Sequence, residues 1–196
     1  MLETRHAPRR QALNAPLVAE ADSSATISVR PVQPAARFSL RLDPPVAQSL
    51  ATIAGFRLDL PINRCAASGE RMAARLGPNE WLLLAPAADE EATAGQIEAA
   101  LTGRFYSLVN IGHRDTAVTV SGRYAADVLS AGCPLDLAEI AFPAGSATRT
   151  LLGKAEIVLT RVHQAPTYHV ECGRSFGRYV HDFLLEACRE FENPTR

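Results

Sequence analysis

The sequence predicts an α+β fold, built as two small subdomains of mainly antiparallel sheet with packed helices. Three observations carry that expectation. Strand-like runs meet at the tight turn Gly77-Pro78-Asn79-Glu80 and again at the two-residue Gly153-Lys154, so neighbouring strands form hairpins. Strands and helices interleave irregularly, without the regular alternation of a doubly wound parallel sheet. The C-terminal stretch repeats apolar residues at three- and four-residue steps, the mark of an amphipathic helix.

The elements follow in chain order. Ordered structure is expected from about Thr26, after an arm over 1–25 that is disordered or ordered by a partner. Phe38, Leu40 and Leu42 alternate with Arg37, Ser39 and Arg41, the period of a half-buried strand. Pro44 and Pro45 open a helix over Val46 to Ala54, which Gly55 stops. Phe56, Leu58 and Leu60 alternate as a second strand. The stretch NRCAASGE, Asn63 to Glu70, reads as a loop that separates an N-terminal part from a C-terminal one. The expected subdomains are therefore about 26–68 with part of the remainder, and about 69–196, within one domain over 26–196.

Met72, Ala74 and Leu76 share one face of the next strand, and Pro78 with Asn79 suits the turn after it. WLLLAP, Trp81 to Pro86, is a mostly buried strand. Asp89 to Leu101 is a helix, acidic in its first turn as the dipole favours, with Gly103 beyond it. Phe105 to Ile111 is a strand, Gly112 to Thr116 a turn, and Ala117 to Gly122 a strand. Arg123 to Ala131 is a helix with Tyr124, Val128 and Leu129 on one face; Gly132 closes it and Pro134 keeps it closed. Arg149 to Leu152 and Ala155 to Val162 form the second hairpin, followed by a strand over Tyr168 to Cys172. In the final helix Phe176, Tyr179, Val180, Phe183, Leu184, Ala187 and Phe191 make the apolar face, while Arg178, His181, Asp182, Glu186 and Arg189 cover the other.

Composition narrows the function classes. The 196 residues carry 20 basic and 21 acidic side chains, a net charge of −1, so no charge excess draws the chain to nucleic acid or anionic lipid. Folding a chain of this size buries roughly 70% of its extended surface, enough for a core. No apolar run approaches the roughly 18 residues of a membrane span. The N-terminus lacks the apolar stretch of a secretory signal. Cys65, Cys133, Cys172 and Cys188 show no C-x-x-C spacing and are expected as buried, reduced thiols, which points to the cytoplasm.

Three constellations imitate chemistry. Gly173-Arg174-Ser175-Phe176-Gly177 fits G-x-S-x-G between a strand and a helix, the setting of a nucleophile elbow. The acid and histidine of such a site must follow from later loops, yet His181 and Asp182 are adjacent on the helix that Ser175 opens. Neighbouring helical positions diverge by about 100°, so Asp182 is not expected to orient His181, and Ser175 reads as a helix cap. His113-Arg114-Asp115 resembles a kinase catalytic loop, but position 120 is Val120 where asparagine is needed. His163, His169 and His181 with Cys172 match no compact zinc spacing. Trp81 reads as a core anchor. Neither a dinucleotide fingerprint nor a P-loop occurs, and the expected catalytic, cofactor-binding and metal residues are none.

Several segments, taken in order, resemble the gamma subunit of heterotetrameric sarcosine oxidase. Leu76-Gly77-Pro78-Asn79-Glu80-Trp81-Leu82-Leu83 matches the family's L-G-P-[DN]-E-W-L-L. Val109 to Leu137 places a strand, an S-G turn and a helix before Gly132-Cys133-Pro134-Leu135-Asp136-Leu137. Phe142 to Leu152, with Ala147-Thr148-Arg149-Thr150, and Arg174-Ser175-Phe176 at the last helix complete the set. The likeness covers roughly 35–190, with Gly177 where alanine is commoner.

The resemblance implies a fold similar to the folate-binding domain of glycine-cleavage aminomethyltransferases. It implies a structural subunit that binds no cofactor itself and is inactive alone. FAD, FMN, NAD, tetrahydrofolate and zinc are then expected on the alpha, beta and delta partners, which oxidise sarcosine to glycine. Arg149, which precedes a hydrophobic hairpin, is expected to be paired with a partner. The alternative is an autonomous folate-binding, aminomethyltransferase-like protein. One related branch carries K-G-C-[FY]-x-G-Q-[ED], which the stretch Phe142 to Gly153 lacks.

Overall fold

The computed structural model describes residues 26–192; the arm expected over 1–25 lies outside the described residues. The N-terminal elements are β1 (Ser28–Pro31), β2 (Ala35–Leu42), α1 (Pro44–Leu50), and the short β3 (Thr52–Ile53) and β4 (Phe56–Arg57). After them come β5 (Arg64–Ser68), β6 (Arg71–Gly77), β7 (Glu80–Pro86), α2 (Glu90–Ala100) and β8 (Tyr106–Asn110). The chain continues through β9 (Asp115–Ser121), α3 (Ala125–Ser130), β10 (Ser146–Leu152), β11 (Ala155–Arg161), β12 (Thr167–Gly173) and α4 (Gly177–Glu192). All strand pairings are antiparallel, which settles the α+β class.

Apart from the β3–β4 hairpin, the strands form one ten-stranded sheet, ordered β1-β9-β12-β11-β10-β5-β6-β7-β2-β8. It is two five-stranded halves joined by a narrow seam. Between β10 and β5 the register holds only Ser146 opposite Arg64. There the Cys65 amide donates to Gly145 O at 2.8 Å and the Ala147 amide to Asn63 O at 3.0 Å. NRCAASGE, expected as a loop, therefore supplies seam strand β5. Its Ala- and Ser-rich composition hides a strand that pairs fully with β6.

Each half has its own apolar cluster. Phe38, Leu40, Trp81 and Leu83 meet Ile97 and Leu101 of α2 in the first half. Val118, Val120, Leu159 and Val170 meet Val128 and Leu129 of α3 and Val180 and Leu184 of α4 in the second. A third cluster, including Met72, Ala74, Leu82, Leu84 and Ile111, lies on the other face of the first half and reaches Ala147 of β10 across the seam. Strand β7 is thus covered on both faces, which explains why WLLLAP is continuously apolar rather than alternating. Each large side chain buried this way contributes roughly 1.5–3 kcal/mol.

Several boundaries move. The helix expected to Ala54 ends at Leu50, because Ala54 and Gly55, with φ of 48° and 78°, make the two-residue turn of the β3–β4 hairpin. The strand expected over Phe56 to Leu60 keeps ladder pairing only to Arg57, although Leu58 and Leu60 remain buried. The helix expected over Arg123 to Ala131 spans Ala125–Ser130. Gly132 is there for space rather than for a left-handed turn. A Cβ on it would lie 2.6 Å from the Phe183 ring and 3.1 Å from the Gly153 amide nitrogen. Gly153, by contrast, turns the β10–β11 hairpin with φ of 57°.

Candidate functional site

Where the two half-sheets face each other, an open cleft of about 1150 Å³ lies between β2, β7 and β8 on one side and β10, β11 and β12 on the other. Its charged side chains are organised around two carboxylates. Glu80 leaves the Gly77-Pro78-Asn79 turn, which Arg75 holds by donating to Leu60 O at 2.8 Å and Pro78 O at 2.6 Å. Arg149 of β10 grips Glu80 as a two-pronged fork, Nη1 to Oε2 at 2.9 Å and Nη2 to Oε1 at 2.5 Å. Arg41 Nη2 adds a third bond to Oε2 at 3.2 Å. The Arg149 hydrogen bond, opposed by burial and helped by the charges of Arg149, Arg41 and Arg114, holds Glu80 below the usual carboxylate range.

The second carboxylate is Glu171 on β12. Arg37 Nε of β2 donates to its Oε2 at 2.8 Å, and His169 Nε2 lies 2.7 Å from its Oε1. Both Arg37 and Glu171 are only 3% exposed. Burial raises the Glu171 carboxyl, but the hydrogen bond and charge of His169 and the charge of Arg37 outweigh it, so the group sits below its ordinary value. Arg37 shares an alternation phase with Ser39 and Arg41 that reads as solvent-facing in sequence. The opposing half-sheet covers that face, and no local signal marks a partner 134 positions away. Beside it, burial first and the carboxylates of Glu171 and Asp115 second push the Cys172 thiol up to about 12. Cys65 at the seam is pushed up to about 11 by burial. Such thiols stay protonated near neutrality and are poor nucleophiles.

The residues singled out in sequence do not converge. Ser175 lines the cleft, but His181 does not. Ser175 sits inside a 3-10 turn over Arg174–Phe176 whose cap is Gly173, so it is not the cap itself. Asp182 Oδ1 comes to 3.6 Å from His181 Nδ1, nearer than their helical angle suggests yet beyond hydrogen-bond length. Phe176, assigned to the apolar helix face, is exposed at the cleft instead. His113 lies in an exposed turn, and Arg114 is spent on Asp115 through bonds of 3.0 and 3.1 Å. His163 is exposed, while His169 serves Glu171. Among the described residues no three His, Cys, Asp or Glu side chains gather as metal ligands. Trp81 is fully buried and donates Nε1–H to Leu58 O at 3.1 Å, as a core anchor should. Arg149 finds its partner, Glu80, within its own chain. All four cysteines are buried, and none is in a disulfide.

The model of the sarcosine oxidase gamma subunit family matches residues 41–190. A sarcosine oxidase subunit gamma from Arthrobacter sp. is 28% identical over 181 residues, covering 91% of this chain and 88% of the relative. One from Corynebacterium sp. (strain P-1) is 27% identical over 177 residues, covering 89% and 86%. Among solved structures, a chain of heterotetrameric sarcosine oxidase from Corynebacterium sp. U-96, in complex with pyrrole 2-carboxylate, superposes with a TM-score of 0.76 at 22% identity over 90% of both chains. Glycine cleavage system aminomethyltransferase T from Bartonella henselae superposes with a TM-score of 0.64 at 14% identity, over 83% of this chain and 46% of that one. At these identities the two structures establish a shared fold.

Proposed function

The chain belongs to the sarcosine oxidase gamma subunit family, and from that premise we propose that it acts as the non-catalytic structural member of a heterotetrameric sarcosine oxidase. The carrying observation is the use made of the cleft's ionisable groups. Glu80 is clamped by Arg149 and Arg41, and Glu171 by Arg37 and His169, so both stay ionised as braces between the half-sheets. General acid–base work needs groups poised near the working pH, the opposite arrangement. In this reading the alpha, beta and delta partners hold FAD, FMN, NAD, tetrahydrofolate and zinc and oxidise sarcosine to glycine, while this chain holds the assembly together.

The four buried cysteines outside any disulfide support a cytoplasmic setting for the assembly. The distinct apolar clusters support two subdomains, which the sheet order divides as β2 to β8 and as β1 with β9 to α4. Likeness to aminomethyltransferase T extends to the fold, and the chain spans 46% of that enzyme, so it does not favour an autonomous folate enzyme.

Co-expression with the partner chains tests the proposal. The chain should purify with them, the isolated chain should be colourless and give no sarcosine-dependent peroxide, and the assembly without it should lose activity or fall apart. Full peroxide production from partners lacking this chain would overturn the proposal. Tight binding of tetrahydrofolate to the isolated chain by calorimetry would favour the autonomous enzyme.

A further inference from the structure

Strand β8 closes one end of the ten-stranded sheet, and its pairing with β2 is regular from Tyr106 to Asn110. The Ile111 amide donates to Arg37 O at 2.8 Å, which fixes the phase of the ladder. Antiparallel pairs alternate between bonded and non-bonded. Ser107 and Val109 therefore turn their backbone groups to Arg41 and Ser39, and the N–H and C=O of Tyr106, Leu108 and Asn110 face away from the sheet.

Soluble proteins blunt such edges with charge, proline, a bulge or brevity. The opposite edge does so: β1 is four residues long and carries Arg30 and Pro31. Strand β8, Tyr-Ser-Leu-Val-Asn, has neither charge nor proline, and its register shows no bulge. It is also flanked by apolar surface: Phe105 is 99% exposed and Val109 50%. Val109 shares the cleft with Leu151 and Phe176, which are exposed as well.

Electrostatics narrows the occupant. Arg41 stands opposite Ser107 on the cleft side, and Arg41 and Arg149, each 54% exposed in the side chain, share the one Glu80 carboxylate. The patch has guanidinium capacity to spare. A strand laid on β8 runs about 4.8 Å beyond it, and the small Ser107 leaves Arg41 open to a side chain of that strand. A second copy of β8 brings no carboxylate to this position. We propose that an extended, apolar segment of another subunit, carrying an acidic residue, adds to β8 as an eleventh strand and sets its carboxylate on Arg41 and Arg149.

This inference rests on the chain being a subunit, and amide hydrogen exchange distinguishes the two claims. In the isolated full chain the Tyr106, Leu108 and Asn110 amides should exchange freely, while those of Ser107 and Val109 are protected. In the purified assembly the first three should slow by roughly 100-fold or more, with the other two little changed. Tyr106→Pro, which removes only an outward donor, and Val109→Lys should weaken co-purification, whereas Ile140→Lys, at an equally apolar exposed site elsewhere, should not. An intact assembly whose three outward amides still exchange freely overturns the strand addition and leaves the subunit role standing. Failure to co-purify at all overturns both. Protection already present in the isolated chain also overturns it, assigning the edge to a second copy if it rises with concentration, or to residues 1–25 if deleting them abolishes it.

Discussion

Glu171 carries a negative charge inside the protein, and Arg37 and His169 are what keep it there. Removing Arg37 alone costs more than removing both members of the pair, because Glu171 is then left buried with only His169 beside it. Arg37→Ala should therefore destabilise the full chain by about 3–5 kcal/mol in urea titrations, whereas Arg37→Met combined with Glu171→Leu should fall within about 1 kcal/mol of the parent. Equal losses in the single and double variants would remove the pairing account. The carboxylates also set the acid response. Glu171 and Glu80 are both held below their ordinary value, so their contribution is complete above the unfolded value, about 4.3, and is lost as pH falls through the lower folded values. Stability should drop as pH falls below about 5, and the Arg37→Met/Glu171→Leu variant should lose measurably less over the same acid titration.

Among the elements, α4 depends on a contact that the helix itself does not advertise. Its buried Val180, Leu184 and Cys188 follow the apolar repeat, but the seat of Phe183 is made by the missing side chain of Gly132. The Gly153 amide reaches Gly132 O at 2.9 Å through the same gap, and Tyr179 Oη accepts from the Lys154 amide at 3.1 Å. Gly132→Ala should thus press α4 away from the β10–β11 hairpin and cost about 1–3 kcal/mol, seen as a lower thermal midpoint. Shortening the ring in the Gly132→Ala/Phe183→Leu variant should recover part of that loss. No recovery would mean that the Gly153 backbone, not the ring, is the obstacle.

At the scale of the whole molecule, little backbone crosses from one half-sheet to the other. A single register pair joins β10 to β5, so the Glu80–Arg149 and Arg37–Glu171 ion pairs act as struts across the cleft. Arg149→Ala removes the fork on Glu80 and should destabilise by about 1–3 kcal/mol. Trp81, the lone tryptophan, reports on the first half only. Its fluorescence transition in urea should coincide with the circular dichroism transition in the parent and separate from it in Arg149→Ala. Coincident transitions in the variant would show that the Glu80–Arg149 pair is not needed to couple the halves.

Hydrophobic period, turn residues and amphipathic repeats are local properties, and they were enough to specify the antiparallel hairpins, the α4 face and the all-round burial of the Trp81 strand. The order L-G-P-N-E-W-L-L to R-S-F carried the family likeness for the same reason: it is written in short segments. Tertiary structure alone decided that NRCAASGE is a seam strand, that Arg37 faces a covered interior and that Phe176 lies in the cleft rather than the core. Each of those depends on which distant half-sheet lies opposite. Burial of a face is set by the element that covers it, and a partner 134 positions away leaves no trace in the period of the strand it meets.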